Sequence, residues 1–508
     1  MSIAIRCSLL LVALLGISND AQATDYFLTI GGGYSKTGNQ ASLEANVVFF
    51  QELLAGKHRA PRQHAIFFAD GNDPAADLQV LAEKPAKSVT PATDLLAALH
   101  RRGSGEQVTY RNHRVPQISG PLDPKLIRNQ LESLAKTTRS GDRLIIYVTA
   151  HGSEGPREDR FNTTIDCWNN RKITAREFTG WLDRLPTEVP VVMVMAQCYC
   201  GGFGHTIFAG LDEKQGLAPQ VRVGFFAQQH NLPAAGCRPD IEHDEEFSSY
   251  FWGALAGKSR NGVPIKNVDI DGNGQISFAE AYAHAVVAGE TIDIPLRTSE
   301  VFLRTYSRLK PDAPAEEGKE AAENEPPEEP KLSKMTGKLE SFLTDAGPLS
   351  RHIVTQLAKT LGVSLQDDVT AVQKAYEESR RRGPGRSRAR QSSGRRDLLQ
   401  EVTDKWPDLG DEKKWAESVL LKPENQEQLL FEIKQLPTWK YYDERRQQAG
   451  ETDKYSDERE LRSVKFRRLL NVLETIVLER NLYLVAKPEI VERYRKILAL
   501  EKSHLVGQ

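Results

Sequence analysis

Leu144-Ile145-Ile146-Tyr147-Val148-Thr149-Ala150-His151-Gly152 and Val191-Val192-Met193-Val194-Met195-Ala196-Gln197-Cys198-Tyr199-Cys200-Gly201-Gly202 decide how this chain is read. Each stretch is a continuous apolar run closed by turn-forming residues, the pattern of a strand buried on both faces of a parallel sheet. In open α/β sheets the chemistry gathers at the carboxyl ends of such strands. One strand therefore delivers an imidazole and its neighbour a thiol to the same edge. A thiol becomes a strong nucleophile once a base takes its proton. His151 is placed to be that base and Cys198 that nucleophile.

Outward from this pair, residues 24–309 alternate between strand and helix. Strand patterns cover 26–30, 64–68 and 221–227, and helical spacing covers 43–54, 124–136 and 174–185, with Thr174 as an N-cap. Such alternation predicts an α/β domain whose mostly parallel sheet is flanked by helices. Residues 310–334 are rich in Pro, Ala and Glu without aromatics, a solvated linker. Residues 335–508 carry apolar stripes at helical spacing, which predicts a separate all-helical domain. It is broken at 380–396 by a run of arginines read as a disordered basic loop. That loop holds no interleaved aromatics, so no specific nucleic-acid partner is expected.

With 508 residues and a net charge of −2, the chain has room for more than one core and no global attraction for polyanions. Residues 1–23 read as a secretory signal: Arg6, a short apolar run, then Ala21-Gln22-Ala23. The apolar run is too short to span a bilayer, and no other segment would cross one, so an exported, soluble protein is expected. After loss of Cys7, four cysteines remain, Cys167, Cys198, Cys200 and Cys237, too few for a disulfide scaffold. Which of them would pair is left open.

Further residues fall around the two strand ends. Backbone N–H groups of Gly152 and Cys198 are the expected oxyanion donors. Cys200, followed by two glycines, is a rival nucleophile. Asn39, Tyr199 and Gln228 are candidates for lining the substrate site. Gly31-Gly32-Gly33-Tyr34-Ser35-Lys36-Thr37 fails as a phosphate loop, because Ser35 stands where glycine is required before the lysine. Residues 269–280, Asp-Ile-Asp-Gly-Asn-Gly-Gln-Ile-Ser-Phe-Ala-Glu, match every position of an EF-hand calcium loop. Asp269, Asp271, Asn273, Gln275 and Glu280 would be the oxygen ligands of a structural Ca2+. The other reading is a polar turn that only caps the helix after it. Both stand at this point.

The stretches 146–153 and 194–201 resemble the caspase-fold cysteine peptidases, with the legumain family most similar and the metacaspases next. The resemblance covers about residues 25–300. It implies a caspase-like three-layer α/β/α sandwich and a cysteine endopeptidase acting on peptide or protein substrates. In that reading His151 and Cys198 form the dyad, an acyl-enzyme is the intermediate, and no cofactor takes part in catalysis. A catalytically inactive caspase-like binding module, or a transpeptidase or ligase using the same dyad, are the alternatives. Asn39-Gln40-Ala41-Ser42 is similar to the His-Gln-Ala-Asp stretch of legumains. Gly38 stands where those enzymes carry the arginine that recognises asparagine, and Gln197 replaces a small residue before the nucleophile. By the same resemblance, the helical C-terminal domain would contact and cover the active site as a regulator.

Overall fold

The computed structural model describes residues 24–58, 63–81, 91–100, 108–236, 246–308, 331–381, 387–411, 414–415 and 417–505. The signal segment 1–23, residues 309–330 of the linker region, Cys237 and residues 382–386 of the basic run lie outside the described residues.

Among the described residues ten strands follow in chain order: β1 (Asp25–Gly32), β2 (His64–Phe68), β3 (Leu78–Leu81), β4 (Val108–Arg111), β5 (Arg143–Ala150), β6 (Thr164–Cys167), β7 (Arg171–Thr174), β8 (Val191–Met195), β9 (Arg222–Phe226) and β10 (Leu296–Arg297). Six of them form one sheet in the order β10-β9-β8-β5-β1-β2. Its pairings are parallel except for β10, which runs antiparallel along β9. β3–β4 and β6–β7 are separate antiparallel pairs. All eight residues of β5 and all five of β8 are buried, as their unbroken apolar runs require.

The helices follow their local signals. Asp123 accepts the Lys125 N–H, Pro124 opens the helix Pro124–Thr137, and Ile127, Leu131 and Leu134 form its buried stripe. Thr174 and Glu177 form a capping box that starts Ala175–Leu182. Helices Ala41–His58, Phe247–Ala256 and Phe278–Ala288 pack in succession beside the sheet.

Seven α-helices are described beyond the linker: Leu339–Leu343, Pro348–Leu361, Val369–Arg381, Ser387–Lys405, Gln426–Lys434, Trp439–Val485 and Pro488–Glu501. The expectation of a separate domain is corrected here. Phe466, Leu469, Leu473, Ile476, Tyr494 and Ile497 belong to one continuous hydrophobic core with β5, β8 and β9. The stripe at 466, 469, 473 and 476 is one face of a long charged helix, and it can be buried only against another layer. Phe302 of helix Thr298–Tyr306 stacks on Tyr494 with ring centroids 5.7 Å apart. A smaller second core unites helix Pro91–Leu99 with Leu398, Val402, Leu409, Leu429 and Ile433. The basic run is corrected too: residues 387–396 are helical rather than a loop, since Arg, Ala and Gln are good helix formers once past the Gly-Pro-Gly break. No described helix is long and apolar enough to cross a membrane.

Candidate active site

β5 and β8 lie side by side, Leu144 opposite Val191 and Val148 opposite Met195. With both strands buried on each face, this register also fixes where each chain leaves the sheet. A Cβ placed on Gly152 would fall 2.3 Å from the Cys198 carbonyl oxygen and 2.9 Å from Gln197 Cγ. The His151-Gly152 turn and the Cys198 turn are therefore in backbone contact, and only glycine fits at that approach. Neither the Gly152 nor the Cys198 N–H donates to another described residue, and the Cys198 N–H bears on its own thiol.

His151 is held by the β1–helix loop. Its Nε2 lies 2.7 Å from the Gly38 carbonyl oxygen and 3.0 Å from Gln40 Oε1. Gly38 offers only an acceptor, so Nε2 carries the proton and Nδ1 keeps the lone pair. The Tyr34 ring meets the imidazole edge to face at 5.1 Å, and the Asp166 N–H donates to the His151 carbonyl at 2.9 Å. Burial lowers the basicity of His151, and the bond to Gly38 opposes that shift.

Cys198 is partly exposed, and its Sγ receives the Ala234 N–H at 3.3 Å. Burial pushes the thiol up, while the Ala234 N–H pulls the other way. Both shifts favour an uncharged thiol and imidazole at rest. Ala234 is in turn positioned from below. The Ala235 N–H donates to Asp293 Oδ1 at 2.7 Å, and Asp293 is itself buried and pushed up to about 6 by that burial.

Cys200 takes a different place. It is wholly buried, its Sγ accepts the Gln228 N–H at 3.3 Å, and burial pushes its thiol far up. It belongs to the core beneath the site. Cys167 is also buried, and the three described cysteines are all free. Tyr199 makes the turn in left-handed conformation at φ 60°, while Gly201 and Gly202 serve close packing. A Cβ on Gly201 would lie 2.8 Å from the Gln228 carbonyl oxygen, and one on Gly202 2.5 Å from that of Phe161.

Two of the three substrate-lining candidates are buried and spoken for. Asn39 accepts the Gly33 N–H and donates to Asp77. Gln228 donates to the Pro233 carbonyl and accepts from Gln229 and Ile294 N–H groups. Each ties loops together beside the strand ends, where backbone groups need side-chain partners. Tyr199 alone of the three keeps partial exposure. Ala234, Asp166 and Asp293 went unforeseen, because Ala234 and Asp293 reach the site from loops distant in sequence and Asp166 from the short strand β6.

Among the described residues, no hydrogen bond from 331–505 ends on His151, Cys198 or Ala234. Ser503 and His504 bind Arg143, at the opposite edge of the sheet from Cys198. The nearest approach in bonding terms is Arg468, which binds the segment carrying Asp293.

In the 269–280 loop, one oxygen each from Asp269, Asp271 and Glu280 lies within 4.8 Å of the others. Asp269 accepts the N–H groups of Gly272, Asn273 and Gly274, and Gly272 and Gly274 take left-handed φ values of 74° and 83°. Asn273 Oδ1 accepts the Gln275 N–H. Glu280 is buried and caps helix Phe278–Ala288 with Ser277, while its Oε1 turns back to the Ile270 and Asp271 N–H groups. The all-oxygen set fits Ca2+, with Glu280 shared between ligation and capping. Among the described residues no helix enters the loop.

No protein-family model and no curated protein matches the chain. Among solved structures, it is similar to the crystal structure of protein GSU0716 from Geobacter sulfurreducens. The two share 11% identity over 54% of this chain and 92% of that one, with a TM-score of 0.29, and the likeness carries no argument about function.

Proposed function

We propose that the chain is an exported cysteine endopeptidase of caspase-like fold, in which Cys198 attacks a peptide carbonyl and His151 first takes and then returns the proton. The observation that carries this reading is the contact of the two turns. Gly152 abuts the Cys198 carbonyl, and the His151 tautomer leaves Nδ1 basic. The strand order β2-β1-β5-β8-β9 with an antiparallel β10 also suits a caspase-like sheet. In the reaction, the Sγ–carbon bond forms as the thiol proton moves to Nδ1, and the oxyanion takes the Gly152 and Cys198 N–H groups. The imidazolium then protonates the departing amine, and water, activated by the same nitrogen, releases the acyl group. An amine in place of that water would make the enzyme a transpeptidase. The 269–280 loop would hold a structural Ca2+ outside the chemistry.

A second reading, an inactive binding module, draws on one observation: buried Gln197 leaves its Oε1 without a partner beside the nucleophile. Electrophilic peptide probes spanning varied P1 side chains separate the two. Labelling is expected in the native chain and in Cys200→Ser, and is expected to vanish in Cys198→Ala. No labelling of the folded native chain by any probe would favour the binding module.

A further inference from the structure

We propose that Asp70, Asp77 and His113 form a binding site for a divalent transition-metal ion of the zinc class. The three come from separate segments: Asp70 from the turn after β2, Asp77 from just before β3, His113 from just after β4. One ring nitrogen and one oxygen of each carboxylate lie within 4.8 Å of one another. The side chains of His113 and Asp70 are only 6% and 8% exposed, and Asp77 is buried.

Two buried carboxyl groups facing each other need either a proton or a cation between them. Arg111, whose field reaches Asp77, is itself paired with Glu44. The hydrogen bonds leave two buried lone pairs free for a Lewis acid. Asp77 Oδ1 accepts the His113 N–H at 2.9 Å, and its Oδ2 accepts Asn39 Nδ2 at 3.0 Å. Asp70 Oδ1 is buried with no hydrogen-bond partner among the described residues, and it lies 3.9 Å from His113 Nε2, the ring nitrogen that is already engaged. His113 Nε2 lies 2.7 Å from the Gly71 carbonyl oxygen and so carries the proton. Its Nδ1 is then a buried lone pair that also lacks a partner. A histidine oriented by an N–H to carbonyl bond, with the other nitrogen unmet, is how metal-binding imidazoles are commonly held.

The donor set selects the ion. Two carboxylates and an imidazole suit a borderline metal such as Zn2+ better than Ca2+, which takes oxygen ligands. Tetrahedral zinc sets its ligand atoms about 3.3 Å apart, within the 4.8 Å span of this cluster. Three protein ligands leave a fourth position for water. The site is distinct from the dyad but tied to it: Asn39, which holds Asp77, follows Gly38, whose carbonyl holds His151. The inference does not depend on peptidase activity.

The test uses the full chain stripped of metal with a chelator. Titration with zinc chloride, read by calorimetry and by metal analysis after dialysis, is expected to show a zinc equivalent that excess calcium does not displace. Asp70→Asn and His113→Gln should each weaken it by more than about tenfold, since both remove a ligand. Asp269→Asn should leave it unchanged while abolishing any calcium heat. Cobalt reports on the native chain without any substitution. A visible d–d spectrum lacking a thiolate charge-transfer band is expected from nitrogen and oxygen ligands. Absence of retained zinc, zinc unaffected by both ligand substitutions, or a cobalt thiolate band as the only signal would overturn the site.

Discussion

The central sheet and the C-terminal helices share one core, yet they are held in it by different means. β5 and β8 are seated almost wholly by apolar burial and a ladder of backbone bonds. Helix Trp439–Val485 also buries an apolar stripe, but its position is fixed by a guanidinium. Arg468, fully buried, donates to the carbonyl oxygens of Val286, Gly289, Thr291 and Asp293 and to the Thr291 hydroxyl. Glu501 does the same in reverse, accepting from Arg297 and from the Ser299 N–H and hydroxyl. Apolar stripes slide; directed bonds from a buried charge do not. The lesson is that the helical region behaves as a structural part of the α/β unit rather than as a detachable cover.

The largest test of that comparison is to end the chain near Arg308. Truncation would uncover Phe302, and would take Glu501 from Arg297 and Ser503 and His504 from Arg143, which keeps Asp25. A detachable inhibitory domain would leave a folded, more reactive core. The shared core predicts the opposite: loss of a cooperative thermal transition, strong binding of an apolar dye, and no gain in probe labelling. A soluble fragment that melts cooperatively and labels faster than the full chain would break the comparison outright.

A narrower test removes one residue. Arg468→Met keeps most of the volume but leaves four carbonyl groups without their donor. A buried polar cluster that loses its charged partner costs about 3–5 kcal/mol. Chemical denaturation should show a loss of that order. Arg468→Lys, which can satisfy fewer of the carbonyls, should fall between. Because the Asp293 segment supports Ala235, and Ala234 donates to Cys198, labelling of the still-folded variant should slow beyond its unfolded fraction. If stability drops with labelling per folded molecule unchanged, the helix supports the fold and not the site.

The sequence told these two regions apart poorly, and the reasons are physical. A strand buried on both faces announces itself as an almost unbroken run rich in Ile, Val and Tyr, which ends here directly at a histidine. The strand ends likewise gave His151, Gly152 and Cys198 together. The hairpins β3–β4 and β6–β7 were unreadable, being four residues per strand with mixed exposure. Asn39 and Gln228 looked like substrate contacts because polar residues at strand ends often are. Here the loops themselves consume them. Arg468 is one arginine in a helix full of charges, and nothing in its neighbours marks it as the buried one. Asp70, Asp77 and His113 meet only through folding, whereas the 269–280 loop is contiguous and was legible residue by residue.

The smallest effect concerns how the dyad titrates. His151 is buried and its basicity is lowered from the ordinary 6.5. For a base with a depressed folded value, the neutral form persists as pH falls through 6.5, and protonation sets in only below it. The Cys198 thiol is raised, so the resting pair is uncharged and labelling depends on neutral His151. Rates of probe labelling should therefore hold level from pH 8 through 6.5 and decline only at lower pH. Folding stability moves the same way, because the unfolded chain binds a proton at 6.5 that the buried imidazole resists. Short labelling pulses on chain shown to be folded at each pH keep the two apart. A decline centred above 6.5 would mean that a carboxylate, Asp166 being the one whose charge acts on both groups, governs the histidine more than burial does. Asp166→Asn would then restore the acidic reactivity, and the site, unlike the sheet that carries it, would prove to be set by charge rather than by burial.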